Sequence, residues 1–429
     1  MQIEIRDWSQ LPQEERRRIL RRSGLDVADV SAPVAAIVRA VADEGDAAIK
    51  RFTAEFDAVE LDRLELDQRD VQDAANSVPA ELAGALDYAI ANVRTFHQTQ
   101  LGPDPAAVTV QPGLTVRERR HPIDSVGIYV PSGRGSFPSM LYMLSVPAKI
   151  AGVDHLCLVT PPAANGGIDP AVAYAALATG VDRVFPIGGA QAIAALAYGS
   201  ASVPRVRKIV GPGSAFVAAA KREVAHIVDT GLPAGPSESI VLAAHGSDPR
   251  LVALDLMVEA EHGNDSAAIL ATDSQELAQQ VAAELTGRIP QVAEPRRGFL
   301  QRVFTGYGGI LHFATLDAAI DFVNEYAPEH LMIHAADPHH VAERIRSAAE
   351  VLIGPHTTFS LANYAAGANA VLPTGGWAHS QSPVSVDDFL RRSTVVEVDR
   401  HALASMAPHV IRLADYEGFP SHAAALRER

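Results

Sequence analysis

The chain has 429 residues, 48% of them hydrophobic and 20% charged, with a formal net charge of -15. That length exceeds what one hydrophobic core usually supports, so two or more domains are expected. The negative balance, with no long Lys/Arg run, argues against a phosphate-backbone partner, and no nucleic-acid role is expected.

The N-terminal stretch MQIEIRDWSQLPQEERRRIL carries no apolar segment followed by a cleavage site. No window of the chain reaches eighteen uninterrupted apolar residues, so a cytoplasmic protein without membrane contact is expected. The first hundred residues read mainly as helix, as in APVAAIVRAVADEGDAAIKRFTAEF, where apolar side chains recur every three or four positions. From Val126 the rhythm changes. VGIYV, HLCLV, RVFPI, RKIV and HIVD are short apolar runs separated by helical stretches such as QAIAALAYG, the pattern of a parallel sheet wrapped by helices. Cys157, the single cysteine, lies in such a run and reads as a small buried hydrophobe; no intrachain disulfide is possible.

Three strand-to-helix joints of this block carry glycine: PSGRGSFPS, IGGAQ and VGPGSAF. Glycine permits positive φ and close ligand approach, and a following helix offers unpaired N–H groups. None spells GxGxxG, and each alone is as well explained by turn geometry. Three at one edge of one parallel sheet point to a dinucleotide or phosphate ligand. A second alternating block begins near Ser239 with SIVLAA, DPRLVALDLMVEAEHG, SAAILAT, SQELAQQVAAELTG, GGILHF, HLMIHA and VLIG. The final charged stretch from VSVDDFLRRSTVVEV is too small to fold alone and is expected to pack on another unit or subunit.

VEAEH places Glu259 and His262 three apart on one helix face, the spacing by which a helix gives two ligands to one metal. A solvated helix face has the same spacing, and spacing leaves both readings open. In APEHL, Glu329 and His330 stand side by side before an apolar strand, placed for acid–base work at a strand end, or equally as polar residues of a proline-bounded turn. Near the C-terminus EGFPSHA offers Glu417 and His422 in a stretch where surface polarity is the ordinary explanation. LANYAAGANAVLPT, 361–374, carries Asn363 and Asn369 and no charged side chain, as a backbone that approaches a ligand would.

Taken in order, VGIYVPSGRGSFPS, GGAQAIAALAYG, KIVGPG, AGPSE, AEH, APEHL, the N-A-V-LPT string, VSVDDFLRR and EGFPSHA resemble the histidinol dehydrogenase family. The resemblance runs from about Val126 to the C-terminus. It implies an α/β fold of two incomplete Rossmann-like domains with parallel sheets, in an intertwined homodimer that exchanges its C-terminal tail. Mapped here, that gives a helical arm over 1–25, a first α/β domain from 26–125 plus 238–382, a second, NAD-binding domain over 126–237 and a dimerisation tail over 383–429. It also implies zinc, NAD+ as oxidant, and two successive oxidations of one primary alcohol through an aldehyde to a carboxylate. Carried over residue by residue, His330 is the base for the alcohol proton and Glu329 activates the hydrating water. Tyr129 and Gln191 match cofactor contacts, Ser237 a substrate contact, and Glu417 with His422 would come from the partner chain.

Four positions depart from the family pattern. Its zinc shell of glutamine, histidine, aspartate and partner histidine is matched here by Glu259, His262, Asn363 and His422, so carboxylate and amide have changed places. One anion, one amide oxygen and two imidazoles remain, and zinc is still expected. Ala370 stands where the family has a substrate-contacting histidine, and Ser214 where it has a cofactor-contacting asparagine. Losing one charge-capable contact costs about 1.5–3 kcal/mol, unless His356 or His379, nearby in sequence, compensates. These departures lead to the expectation of a small polar alcohol other than L-histidinol, with L-histidinol itself the alternative and a catalytically silent ligand-binding homologue a third.

Overall fold

The computed structural model describes residues 3–22, 27–133 and 135–429; Arg134 of the first glycine joint lies outside them. In chain order the strands are β1 (Ile5–Asp7), β2 (Val108–Gln111), β3 (Leu114–Pro122), β4 (Ser125–Tyr129), β5 (His155–Val159), β6 (Arg183–Phe185) and β7 (Lys208–Val210). They continue as β8 (Glu238–Ala243), β9 (Ala267–Thr272), β10 (Gly309–His312), β11 (His330–His334), β12 (Glu350–Ile353) and β13 (Leu390–Val398).

Among the described residues, two of the three sheets are wholly parallel. The larger has the order β1-β10-β9-β8-β11-β12, so successive strands run outward from β8 to one side and then cross to the other. The smaller repeats that plan in the order β6-β5-β4-β7. Strands such as β8 and β9 are buried along their whole length because helices cover both faces, which is why they read as unbroken apolar runs. HIVD is the exception among the expected strands: Asp229 makes an isolated bridge to Lys208 and nothing longer. Cys157 is buried in the core of the smaller sheet, and burial pushes its thiol up to about 11. Among the described residues no helix is long and apolar enough to cross a membrane.

The packing departs from the expected domain assignments in two places. The helices from 27 to 98, expected in the larger unit, pack on the smaller one. Helix Val27–Glu44 turns Val34, Ile37, Val38 and Val41 onto helices Gly189–Tyr198 and Ala215–Val224, and helix Ala80–Gln98 packs on helix Pro138–Ala151, all around the smaller sheet. The arm over 1–25 is not only helical: β1 adds to the edge of the larger sheet, with Ile5 opposite Ile310, and Ile3 and Ile19 enter its cores. The tail from 383 is anchored by its own chain, since β13 pairs with β3 antiparallel over nine residues, from Leu390 opposite Pro122 to Val398 opposite Leu114.

Candidate active site

The glycine-bearing joints leave the carboxyl ends of β4, β6 and β7, at one edge of the smaller sheet. That edge meets the amino edge of the larger sheet, and a cleft of about 600 Å³ lies between them. Gly135, Phe137 and Pro212 line it from one side, Ser237, Glu259, His262, Glu329 and His330 from the other, with Asn363, Tyr364 and Ala370 across the opening. Glu329 and His330 therefore stand at the amino end of β11, not at the carboxyl end where open sheets ordinarily bind ligands.

Helix Pro249–Ala260 starts from an Asp248 cap, whose carboxylate accepts from the Arg250 N–H at 2.9 Å, and brings its last turn to the amino edge of the sheet. There it delivers Glu259, 1% exposed, and just beyond it His262. Glu259 Oε2 lies 3.1 Å from His262 Nδ1, and Asn363 Nδ2 donates to Glu259 Oε1 at 2.6 Å from the short helix Phe359–Tyr364. Burial works to raise the Glu259 pKa, but the His262 and His330 imidazoles and the Asn363 amide outweigh it and hold the carboxylate below its usual range. Among the described residues no three His, Cys, Asp or Glu side chains cluster as ligands. The converging donors are one carboxylate, one imidazole and one amide, and that chemistry fits a divalent cation taking nitrogen and oxygen ligands.

Glu329 and His330 are both buried. Glu329 Oε2 accepts from the Glu238 N–H at 2.9 Å, and its Oε1 lies 3.9 Å from His330 Nε2. Burial pushes the Glu329 carboxyl above its ordinary value. For His330 burial acts to lower the pKa, but the carboxylates of Glu259, Glu329 and Glu350 prevail and raise it. Behind the pair, the buried Glu238 carboxylate accepts from Arg22 Nη1 at 3.1 Å and from the Gly375 N–H at 2.8 Å.

Tyr129, Gln191 and Ser214 do not line this cleft; they stand at the carboxyl edge of the smaller sheet. Tyr129 ends β4 and its hydroxyl, pushed up to about 12 by burial, accepts from the Gly189 N–H at 3.3 Å. Gln191 sits in the first turn of the next helix, 1% exposed, with neither amide atom hydrogen-bonded among the described residues. Ser214 is the exposed N-cap of helix Ala215–Val224, and its side chain makes no capping hydrogen bond. Gly211, at φ +108, lets the backbone after β7 pass so close to Tyr129 that a Cβ would lie 2.1 Å from its carbonyl oxygen. An orphaned buried amide beside glycine turns and a helix N-terminus fits a dinucleotide.

Glu417 and His422 are exposed and line no part of their own chain's cleft; His422 packs on Phe419 with ring centroids 5.2 Å apart. Neither His356 nor His379 reaches it: His379 lies against Ser347 Oγ at 3.2 Å and the Glu325 carbonyl at 3.3 Å. Asn369 is structural, donating to the Met143 carbonyl at 2.6 Å. Two cleft neighbours escaped the sequence reading. Arg296 lines the cleft and donates to the Glu261 carbonyl at 2.6 Å, and no motif flagged it. Glu350 lies 2.8 Å from His330 Nδ1; its one sequence signal is an acid opening the apolar run VLIG.

The histidinol dehydrogenase family model matches residues 20–429. The chain belongs to the histidinol dehydrogenase family. It is 43% identical to a histidinol dehydrogenase of Synechocystis sp. over 98% of each chain. It is 45% identical to a histidinol dehydrogenase homolog of Cereibacter sphaeroides over 99% of this chain and 98% of that one. The crystal structure of histidinol dehydrogenase from Elizabethkingia anophelis superposes with a TM-score of 0.93 at 31% identity, covering 100% of this chain and 97% of the other. Histidinol dehydrogenases are NAD-dependent oxidoreductases acting on CH–OH groups, and the coincidence of Glu329 and His330 in one cleft with Glu259, His262 and Asn363 suits that chemistry.

Proposed function

We propose that this chain oxidises a primary alcohol through an aldehyde to a carboxylate, with NAD+ as oxidant and zinc in the cleft. The observation that carries the reading is the convergence of a buried acid–base pair and three metal-compatible donors on one cavity. When bound, NAD+ supplies the hydride acceptor and zinc, held by Glu259, His262 and Asn363, supplies polarisation of the alcohol oxygen. Tyr129, Gln191 and Ser214 would hold the dinucleotide. His330 takes the hydroxyl proton, Glu329 takes a proton from the water that hydrates the aldehyde, and Ser237 contacts the substrate. We further propose a homodimer in which Glu417 and His422 of a second copy complete each cleft.

The comparisons favour L-histidinol as the alcohol, because a relative named histidinol dehydrogenase aligns over nearly the whole chain. A second reading, another small polar primary alcohol, is supported by Ala370: its methyl lines the cleft where a hydrogen-bonding imidazole would serve L-histidinol, and His356 and His379 stay outside. Steady-state assay of zinc-loaded protein decides between them. With L-histidinol, kcat/KM of about 10⁴ M⁻¹s⁻¹ or better establishes the first. A value some ten- to hundredfold lower, beside faster turnover of an amino alcohol or diol, establishes the second. No NADH from any alcohol of such a panel sinks both.

A further inference from the structure

His330 faces the cleft, but what decides which of its nitrogens can act as the base lies behind it. β12 runs beside β11 in parallel register with Glu350 directly opposite His330, so the two side chains share a sheet face. The Glu350 N–H also donates to the Glu329 carbonyl at 3.1 Å, tying the start of β12 to the catalytic pair. Glu350 Oε2 stands 2.8 Å from His330 Nδ1, and Phe359 meets the imidazole edge-on at 5.6 Å between centroids, which fixes the ring plane. A carboxylate at that distance is an acceptor, so Nδ1 carries the proton; the opposite tautomer would set a lone pair against an anion.

We propose that Glu350 is a positioning residue of the reaction: by holding the Nδ1–H of the neutral His330 imidazole it leaves the lone pair on Nε2, aimed into the cleft. This inference rests on the reading of His330 as the base. In the proton transfer the substrate O–H bond breaks and an Nε2–H bond forms, while the Nδ1–H stays with Glu350, whose charge then balances the imidazolium. Glu329 Oε1, 3.9 Å from Nε2, is the nearest group to receive the proton onward. The burial of Glu350 argues for such a role. It is only 9% exposed, and its Oε1 has no hydrogen-bond partner among the described residues. A buried carboxylate so sparsely satisfied is costly unless it faces a group that becomes cationic.

The test uses zinc-loaded full-length protein. Glu350→Leu removes the acceptor, and kcat is expected to fall by about 100-fold with KM for the alcohol and for NAD+ within about threefold. A kcat within about threefold of the parent overturns the proposal. Nitrogen NMR of histidine-labelled parent protein, at alkaline pH where the imidazole is neutral and with His330→Gln to assign the signal, should show the Nδ1–H tautomer. The Nε2–H tautomer in the parent overturns it, even if Glu350→Leu fails to fold. Since the tautomer is read without substrate, a parent that oxidises no alcohol defeats the proposed activity while leaving the positioning of His330 to be decided by the spectrum.

Discussion

Glu259 and Asn363 touch at 2.6 Å, so their charge and amide act as one unit whose order can be reversed without changing its sum. Glu259→Gln alone leaves the donor set with no anion and should weaken zinc binding by at least about 10–100-fold, read by competition with a chelator. Adding Asn363→Asp in the same chain should restore most of that affinity; a double variant no better than the single would show that the two do not share one ion. Glu329 is buried, with its Oε1 3.9 Å from His330 Nε2. Glu329→Gln should slow the second oxidation by about 10²–10⁴-fold and lower the yield from two NADH per alcohol toward one. Burial raises the Glu329 pKa, so if its ionised form activates the hydrating water as proposed, the second oxidation should gain rate with pH through a range above ordinary carboxylates and lose it on acidification. The variant should lack that limb. Glu259, Glu329 and His330 were legible in the sequence only through the strings that carry the family resemblance, since spacing alone left each of them two readings. Glu350 was not, since only the β11–β12 register brings it to His330.

At the scale of elements, the alternation of strand and helix from Val126 could be read directly, because strands buried on both faces leave continuous apolar runs and their helices leave a helical period. The β2–β3–β13 ribbon could not. β2 and β13 are largely exposed and interleave polar with apolar residues, and β13 finds its partner far away in the chain. The ribbon nevertheless sets where the tail's long helix, Arg400–Tyr416, begins. Gly113, at φ +82 between β2 and β3, accepts at its carbonyl from the Asp399 N–H at 2.8 Å, and Asp399 caps helix Arg400–Tyr416 by accepting from the Ala402 N–H at 2.8 Å. A Cβ on Gly113 would lie 2.2 Å from Asp399 Oδ1, besides the cost of about 1–2 kcal/mol for a left-handed alanine. Gly113→Ala should therefore loosen the first turns of that helix, lowering amide hydrogen-exchange protection there by about 5–30-fold. Unchanged protection would mean that the helix start does not depend on the turn.

Over the whole molecule, one chain presents the tail as an incomplete surface. Tyr416 is 90% exposed, Leu413 61% and Phe419 50%, beside the exposed Glu417 and His422, and apolar side chains grouped in this way mark a contact surface. The cleft offers the complementary deficit, since Glu259, His262 and Asn363 are three donors where a tetrahedral zinc takes four. If the tail of each copy supplies the fourth, no chain is active alone, and two defective chains can mend each other. His330→Gln, which removes the base of the first oxidation, damages the cleft of its own chain, and His422→Ala damages the cleft of its partner. In a mixed dimer of the two, one site carries both defects and the other carries neither. Coexpression with random pairing should then recover about a quarter of the parental activity, and dimers isolated through two different tags about half, although each variant alone is nearly inactive. Were His422 to serve its own chain, every site of the mixed dimer would carry one defect and activity would stay at the level of the single variants.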